Sequence, residues 1–303
     1  MKRALITSGG GAKGAFSVGA LKALHRNNMA DFQIISGTST GSLIAALAAV
    51  GRYDVLEREY TAGSNSDFLE QTNLIRNLAG NKPYVYSTIP LQAKIREHIT
   101  PQVYEEIMDK GKVVCLTSVS LQTGRRTVFT TKMYPNPNPR YDLKLVTSHR
   151  MFLDTILAST NQAAFLPPVS IDPDNSGNIQ QFVDGGNRDV LPTQPAVDQN
   201  PEEIFALSNN PKELFQATSA YTNVFDVLFR AISIFIQDIR TNDYEVLSNY
   251  RNGTVYEIEP KMELDRNNPT GLNFNQIDMM GWMRMGELAA NRILRDRGIV
   301  DVI

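Results

Sequence analysis

The stretch that decides the fold is Gly37-Thr38-Ser39-Thr40-Gly41. A short apolar segment, residues 32–35, precedes it, and a longer apolar segment, residues 42–50, follows it. This order predicts a strand, a sharp turn and a helix, with Ser39 at the carboxyl end of the strand. The helix N-terminus would offer free N–H groups and positive potential where negative charge develops. On this stretch alone, a nucleophilic serine and a polar loop with a helix N-cap both remain open.

A second unit of the same kind lies upstream. Residues 4–7 are typical of a short buried strand, the glycine-rich stretch Gly9–Gly14 follows, and a helix then extends to about Asn27. Two strand–helix units in succession predict an α/β fold with a central, mostly parallel sheet flanked by helices. In such a sheet the functional loops lie at the carboxyl ends of the strands.

The rest of the chain continues with strands and helices. We expect strands at 112–121, 127–130, 169–171, 180–183, 204–207 and 254–258, and helices over most of 52–110 and at 151–159, 221–239 and 275–297. The proline-rich stretch 135–139 predicts a rigid loop. No internal repeat or clear linker is present, so we expect a single domain over 1–303. Its motifs lie within about 1–192, and helical and strand elements occupy about 193–303.

Charge and cysteine content narrow the class of protein. The formal net charge of −2 gives no basic field for nucleic acid, so we expect no nucleic-acid partner. Cys115 is the only cysteine, which excludes a disulfide within the chain and fits a reducing compartment. The first nine residues contain too few apolar side chains for a signal-peptide core, and no run of about 18 apolar residues occurs. We therefore expect a cytoplasmic protein, and leave peripheral contact with membranes open.

Two motifs suggest nucleotides or calcium, and both are incomplete. Gly9–Gly14 fits the G-x-G-x-x-G fingerprint between a strand and a helix, but the second strand ends in the Ser39 turn where an acidic residue should stand. Asp172–Gly177 resembles half of a calcium loop, yet its twelfth position is Val183. We therefore expect neither a nucleotide cofactor nor a calcium site of this type, although a weak ion site at this loop remains open.

The three histidines, at positions 25, 98 and 149, lack neighbouring cysteines or paired acids at metal-ligand spacing. We therefore predict no metal site and no organic cofactor. None of these histidines lies in a glycine-rich or strand-end context either. The candidates for a base that could activate Ser39 are therefore the carboxylates.

One acid stands in the same context as Ser39. Asp184 follows a predicted strand and precedes Gly185 and Gly186, which places a carboxylate at a strand end beside a flexible turn. The glycine loop at 9–14 adds successive N–H groups that can converge on an anionic oxygen. A nucleophile, a base and oxyanion donors are the three parts that acyl transfer requires.

Together, in this order, Gly9–Gly14, Gly37–Gly41 and Asp184-Gly185-Gly186 resemble the patatin-like phospholipase family. The resemblance extends to the segments Phe16–Leu24, Ala158-Ser159 with Phe165–Pro168, and Leu191-Pro192. It covers about residues 1–192. The family usually has arginine where Lys13 stands, and the segment Thr160–Ala164 also departs from its pattern.

The resemblance implies a patatin-like three-layer sandwich and a Ser39–Asp184 catalytic dyad without histidine. The oxyanion hole would be formed by Gly9, Gly10, Gly11, Ala12, Lys13 and Gly14, with Gly37, Gly41, Gly185 and Gly186 as supporting turn residues. The substrate would be a lipid acyl ester, of the phospholipase A or lysophospholipase type, cleaved through an acyl-enzyme. Two alternatives remain open: an acyltransferase that uses the same acyl-enzyme, and a lipid- or nucleotide-binding protein without turnover.

The segment 221–239 is a predicted amphipathic helix whose apolar positions recur at helical spacing. Such a face is usually buried, so we favour a core-facing helix. A wall for an acyl chain and a membrane-docking helix are the alternatives. The charged residues Asp226, Arg230, Asp238 and Arg240 are of mixed sign, which fits poorly with a lysine-rich membrane-surface helix.

Overall fold

The computed structural model describes residues 1–72, 82, 84–135, 140–213, 220–265 and 271–300. Its helices are α1 (Gly14–Arg26), α2 (Thr40–Ala49), α3 (Tyr53–Ala62), α4 (Asn65–Phe68), α5 (Ile89–His98), α6 (Pro101–Asp109), α7 (His149–Thr160), α8 (Gln194–Val197), α9 (Val224–Ser248) and α10 (Gln276–Asp296). Its strands are β1 (Arg3–Thr7), β2 (Ile34–Thr38), β3 (Glu70–Gln71), β4 (Tyr86–Ser87), β5 (Val113–Ser120), β6 (Arg126–Thr130), β7 (Asp142–Leu145), β8 (Val169–Ile171), β9 (Gln180–Asp184), β10 (Glu203–Leu207) and β11 (Thr254–Ile258).

Nine of the described strands form one mixed sheet in the order β11-β10-β1-β2-β5-β6-β7, with the β8–β9 hairpin attached to β5. Strands β11, β10, β1, β2 and β5 run parallel, and β6 and β9 are antiparallel to β5. This arrangement confirms the predicted mostly parallel sheet. The carboxyl ends of β1 and β2 lie side by side, with Thr7 paired to Gly37, so the turns that follow them are neighbours.

Helices pack on both faces of the sheet, each over a hydrophobic core, which gives the predicted three layers. Side chains alternate along β1: Leu5 points into the larger core with helices α1, α2 and α10, whereas Ala4 and Ile6 point into a smaller core with Tyr244 and Leu247 of α9. All three β1 side chains are fully buried. Helices on both faces are what an almost continuously apolar parallel strand requires.

Helix α10 packs directly on α1 through glycine. A Cβ on Gly19 of α1 would lie 1.8 Å from the Met283 carbonyl oxygen, and one on Gly286 of α10 would lie 1.9 Å from that of Phe16. Because only glycine allows the two backbones to approach this closely, the two glycines fix how α10 packs on α1, the helix that follows the N-terminal glycine loop. The C-terminal part of the chain is thereby attached beside that loop.

Three segments differ from the sequence prediction. Within 52–110 the structure has helices α3 to α6 but also the two-stranded pair β3–β4, which is too short to produce a periodic pattern. Strand β7 was not predicted, and it extends the sheet beyond the predicted 112–130 hairpin. The helix predicted at 221–239 spans 224–248. Of the predicted 135–139 loop, residues 136–139 lie outside the described residues.

The core-facing interpretation of the segment 221–239 is wrong for its described side chains. None of them is buried: Phe235 is 65% exposed, and Val227 and Leu228 are each about half exposed. Burial begins only at Arg240 and continues in the second half of α9, where Tyr244 and Leu247 join the smaller core. The periodicity identified the apolar face correctly but could not tell what, if anything, covers it.

Candidate active site

Ser39 lies in the turn between β2 and α2 with φ 56° and ψ −129°. This left-handed conformation is uncommon for a residue with a side chain and is typical of a strained strand-to-helix turn that projects a nucleophile. The flanking glycines are required by space. A Cβ on Gly37 would lie 2.3 Å from the Gly41 carbonyl oxygen, and one on Gly41 would lie 2.2 Å from that of Thr7. The two glycines therefore let the turn fold back on itself and against β1.

Ser159 of α7 anchors the Ser39 turn through hydrogen bonds. The Ser39 N–H donates to the Ser159 hydroxyl at 3.0 Å, and Ser159 in turn donates to the Thr117 carbonyl oxygen at 2.6 Å and contacts the Ser42 hydroxyl at 2.7 Å. Ser159 is fully buried. Sequence reasoning did not assign it a site role, because nothing local to residue 159 reveals a contact with a residue 120 positions away.

Asp184 ends strand β9 and reaches Ser39 across the sheet. Its pairing with Ser118 of β5 brings it to the carboxyl end of the parallel strands. Its carboxylate accepts the Gly186 N–H at 2.7 Å, and the Ser39 hydroxyl lies beside it. Burial raises the pKa of Asp184 to about 6, and the Ser39 hydroxyl and the Gly186 N–H partly offset that rise.

The turn after Asp184 depends on its glycine. A Cβ on Gly185 would lie 2.4 Å from the Thr117 carbonyl oxygen. The same carbonyl accepts from Ser159. The turns that carry Ser39 and Asp184 therefore share one anchor point on β5.

The glycine loop passes directly over Ser39. A Cβ on Gly9 would lie 3.1 Å from the Ser39 Cβ, and Gly10 and Gly11 adopt positive φ angles of 147° and 57°. Such angles are accessible to glycine at little cost, and successive N–H groups in loops of this kind can bind an anionic oxygen. Among the described residues, the N–H groups of Gly10 and Gly11 have no protein acceptor.

The other four predicted oxyanion donors are already engaged. The N–H of Gly9 donates to the Val190 carbonyl at 3.0 Å, that of Ala12 to the Gly271 carbonyl at 2.9 Å, and that of Lys13 to the Gly10 carbonyl at 3.2 Å, while that of Gly14 is directed to carbonyls within the loop. The loop thus divides its six residues into two with free N–H groups and four that hold its shape.

The Lys13 side chain is buried beside this loop. Its ammonium donates to Asn210 Oδ1 at 2.7 Å, and burial lowers its pKa to about 8. The preceding residue, Asn209, accepts from Ser17 at 2.7 Å and donates to the Ser8 carbonyl at 3.0 Å. The two asparagines follow β10, and they were not recognised from the sequence because their partners lie almost 200 residues away.

A segment near the C-terminal helix closes the loop from the other side. Gly271 has φ +70°, and a Cβ on it would lie 2.4 Å from the Gly10 carbonyl oxygen. A Cβ on Gly11 would in turn lie 2.1 Å from the Gly271 carbonyl oxygen. Three residues further on, Phe274 stacks on Phe68 with ring centroids 4.3 Å apart. The segment 271–274 therefore lies across the glycine loop and was missed by sequence reasoning.

Ser39 and Asp184 open into an apolar cavity of about 400 Å³. The glycine loop borders it, and its walls come from distant parts of the chain. Apolar lining residues include Leu43, Leu47, Ile95, Ile232, Ile236 and Leu272. A concave, mostly apolar site with a few convergent polar groups is the usual form of a small-molecule site.

The remaining sequence candidates lie elsewhere or are engaged. His25 packs on Tyr53, and His149 bonds the Ile99 carbonyl at 2.7 Å. His98 borders the cavity, but its Nε2 is 3.0 Å from Glu59 Oε1. Asp172 accepts N–H groups of its own loop, including that of Gly177 at 2.6 Å. Within the described ranges, no cluster of three or more His, Cys, Asp or Glu residues is arranged to hold a metal ion.

The sequence and the fold of the chain both have relatives among known proteins. A parallel sheet covered on both faces, with the turns that follow β1 and β2 meeting at one edge, defines an α/β protein of the kind that carries its site at the strand ends. Residues 5–197 match the family model of patatin-like phospholipases. The chain belongs to the patatin-like phospholipase family, and this membership supports a lipid acyl hydrolase activity in general.

Two solved structures resemble the chain at low identity. VipD from Legionella pneumophila is 11% identical with a TM-score of 0.51, and the match covers 97% of this chain and 67% of VipD. The type III effector protein ExoU is 13% identical with a TM-score of 0.41, and the match covers 99% of this chain and 53% of ExoU. No curated protein matches the sequence. In the part of the chain that the structure describes, no helix is long and apolar enough to span a membrane.

Proposed function

We propose that the protein hydrolyses lipid acyl esters through a Ser39–Asp184 dyad. The observation that carries this proposal is the placement of the Ser39 hydroxyl beside the buried Asp184 carboxylate at the wall of an apolar cavity. A carboxylate whose pKa is raised to about 6 is a stronger base than an ordinary aspartate. It is also ionised at neutral pH, as a general base must be.

The reaction would proceed in two halves. The Ser39 Oγ attacks the ester carbonyl carbon while its proton passes to Asp184, and the N–H groups of Gly10 and Gly11 stabilise the oxyanion. By analogy with other oxyanion holes, each donor contributes roughly 2.7–4 kcal/mol. The tetrahedral intermediate then collapses, the leaving alcohol takes the proton from Asp184, and Ser39 carries the acyl group. Asp184 next deprotonates water, which releases the fatty acid and restores the Ser39 hydroxyl.

The substrate class follows from the cavity. Its apolar lining and its volume of about 400 Å³ suit an acyl chain, because burial of methylenes contributes about 0.8 kcal/mol each. The test is hydrolysis of an ester series of rising acyl length with a common leaving group. We expect kcat/KM to rise with chain length until the cavity is filled. Activity that is independent of chain length, or absent for every member, would refute the proposal. Glycerol added as an acceptor would reveal acyl transfer as acylated glycerol.

Activity should depend on pH through Asp184. Because the base must be ionised, we expect kcat/KM to fall about tenfold per pH unit below about pH 6.

The same carboxylate should affect stability. The pKa of Asp184 is higher in the folded than in the unfolded chain, so the native chain loses stability as pH rises through about 6. Asp184→Asn should therefore be more stable than the natural chain at pH 7, by on the order of 2 kcal/mol. Rate profiles and urea unfolding at pH 5 and pH 7 test both statements.

We further propose that α9 brings the cavity to a lipid surface. Ile232 and Ile236 border the cavity, while Val227 and Leu228 on the same helix are exposed to solvent. An apolar helix face that continues from a substrate cavity is suited to insertion among lipid chains. The charged residues of this part of α9 are of mixed sign, so we expect binding to depend little on anionic lipid.

The variant that tests membrane contact through α9 combines Val227→Ser with Leu228→Ser. On phosphatidylcholine vesicles, turnover should fall about tenfold, since two exposed apolar side chains no longer insert, whereas turnover of a soluble short-chain ester should be unchanged. Leu288→Ser, which changes a similarly exposed residue of α10, is the matched control. Equal losses on both substrates, or the same vesicle effect from Leu288→Ser, would contradict membrane contact through α9.

A further inference from the structure

Two buried carboxylates lie just beyond the site and take no part in the proposed chemistry. Asp189 follows the Asp184 turn and is fully buried, and Asp243 of α9 is 6% exposed. Asp243 accepts the N–H groups of the two residues that follow Asp189, so the two carboxyl groups are neighbours, and the charge of Asp189 raises the pKa of Asp243. Two neighbouring carboxylates in a buried site are destabilised when both are charged, which favours a proton on one of them.

The surroundings indicate which residue holds the proton. Arg126 Nη1 is 2.9 Å from Asp189 Oδ2, which favours the charged form of Asp189. Asp243 Oδ2 accepts the N–H groups of Val190 at 3.0 Å and Leu191 at 2.9 Å. Its Oδ1 is therefore the atom that can carry a proton to Asp189, whose oxygens accept from no other hydrogen-bond donor among the described residues apart from the Arg126 ion pair.

Other charged and titratable groups face this pair. Arg126 comes from β6 and lies over the Tyr141 ring at 5.4 Å. Arg240 lies one turn before Asp243 on α9 and acts on it through its charge. Burial and the neighbouring Asp189 raise the pKa of Asp243 well above its usual value, and Arg126 opposes that rise.

The pair is connected to both halves of the proposed active site. The Asp189 N–H donates to the Gly185 carbonyl at 2.9 Å, in the turn that carries Asp184. The Val190 carbonyl accepts the Gly9 N–H at 3.0 Å, in the loop that passes over Ser39. Asp243 holds Val190 from the opposite side, so residues 189–191 join the base, the oxyanion loop and α9.

We propose that Asp189 and Asp243 form a proton-sharing carboxyl pair that positions the oxyanion loop against Ser39 through Val190 and Gly9. These are positioning residues that act through the loop. The inference rests on the proposed function for its kinetic consequence. The shared proton itself does not depend on that function.

Two substitutions of Asp243 separate the contribution of the shared proton from that of the accepted Val190 and Leu191 N–H groups. In Asp243→Asn, the amide oxygen can still accept the Val190 and Leu191 N–H groups, and the amide N–H permanently replaces the shared proton. In Asp243→Ala, both N–H groups lose their acceptor and the loop is released. We expect Asp243→Asn to keep kcat within about twofold at pH 7, and Asp243→Ala to lower it about 100-fold with KM nearly unchanged, as misplacement of a reacting group does.

The pH dependence of Tm and kcat distinguishes a shared proton from an aspartate with a purely structural role. A raised folded-state pKa means that stability is lost as pH rises through it. In the natural chain, Tm and kcat should therefore decline as the pH rises and the pair loses its proton, whereas Asp243→Asn, which has no such proton to lose, should not show this decline. Asp238→Asn, the same change at an exposed position of α9, is the matched control and should follow the natural chain.

The outcomes are distinguishable. If Asp243→Asn is as impaired as Asp243→Ala, or if its Tm and kcat decline at the same pH as those of the natural chain, the shared proton is refuted. If Asp243→Ala keeps full kcat, the positioning role is refuted. If Asp243→Ala does not fold, the pH dependence of Tm and kcat in Asp243→Asn, compared with that of the natural chain, still tests the shared proton. A natural chain without esterase turnover would count against the proposed function alone, since the Tm comparison tests the pair separately.

Discussion

Replacing Ser39 with alanine should lower kcat for an ester substrate by at least about 10⁴-fold, and Asp184→Asn should cost a similar factor. These factors are typical for members of a nucleophile–base unit, whose losses are not additive. The double variant should therefore be little worse than either single one. The measurement is kcat under saturating substrate for the three variants and the natural chain, with circular dichroism as the check on folding.

Two substitutions serve as matched controls. Ser170→Ala and Asp174→Asn make the same chemical changes at exposed positions of the β8–β9 hairpin, away from the cavity. Both controls should turn over at the natural rate. Undiminished turnover in Ser39→Ala would exclude it as the nucleophile, and a loss confined to Ser39→Ala would exclude Asp184 as the base.

Gly271→Ala should lower kcat about 100-fold, although residue 271 is over 200 positions from Ser39 in sequence. Its Cβ would lie 2.4 Å from the Gly10 carbonyl oxygen, and its φ of +70° is unfavourable for alanine. To relieve the contact, Gly10 must move, and with it the N–H groups proposed to hold the oxyanion. Loss of one such donor costs about 10²–10³ in kcat. KM should change little, because the apolar lining stays in place.

The control for this prediction is Gly298→Ala. Gly298 has nearly the same φ, +67°, but a Cβ there would meet open space. It therefore measures the cost of the backbone conformation alone, about 1 kcal/mol of stability with no effect on kcat. If Gly271→Ala turns over like Gly298→Ala, the segment 271–274 has no part in shaping the oxyanion loop.

The parts of the site that could be predicted from the sequence are those that depend on residues close together in the chain. Gly9–Gly14, the Ser39 turn and Asp184 each sit in a short segment whose glycines are required by close backbone approach within or beside that segment. A parallel sheet then brings the strand ends together by its own geometry. Fold class and candidate residues follow from these features without knowledge of long-range packing.

The supporting residues could not be predicted, because their partners are distant in sequence. Ser159, Asn209 and Gly271 hold the Ser39 turn or the glycine loop through contacts that span more than 100 residues. No periodicity or spacing records such contacts. The predicted oxyanion set illustrates the same limit, since only Gly10 and Gly11 retain free N–H groups in the described structure and the other four serve the loop itself.

The helix α9 shows where periodicity misleads. Its apolar face is real, but Ile232 and Ile236 line the cavity while Val227 and Leu228 face solvent. An amphipathic pattern reports which side of a helix is apolar and leaves open whether protein, substrate or membrane covers it. The C-terminal third of the chain, which lies beyond the family match at residues 5–197, thereby supplies part of the cavity wall.

The measurement that tests the central claim most directly is the mass of Ser39 during turnover. The chain is mixed with a long-chain p-nitrophenyl ester, quenched in acid within the first turnover and digested for peptide mass spectrometry. We expect an added acyl mass on the peptide that contains Ser39, absent in Ser39→Ala. Turnover of the ester with an unmodified Ser39 and an acyl group on another residue would contradict it.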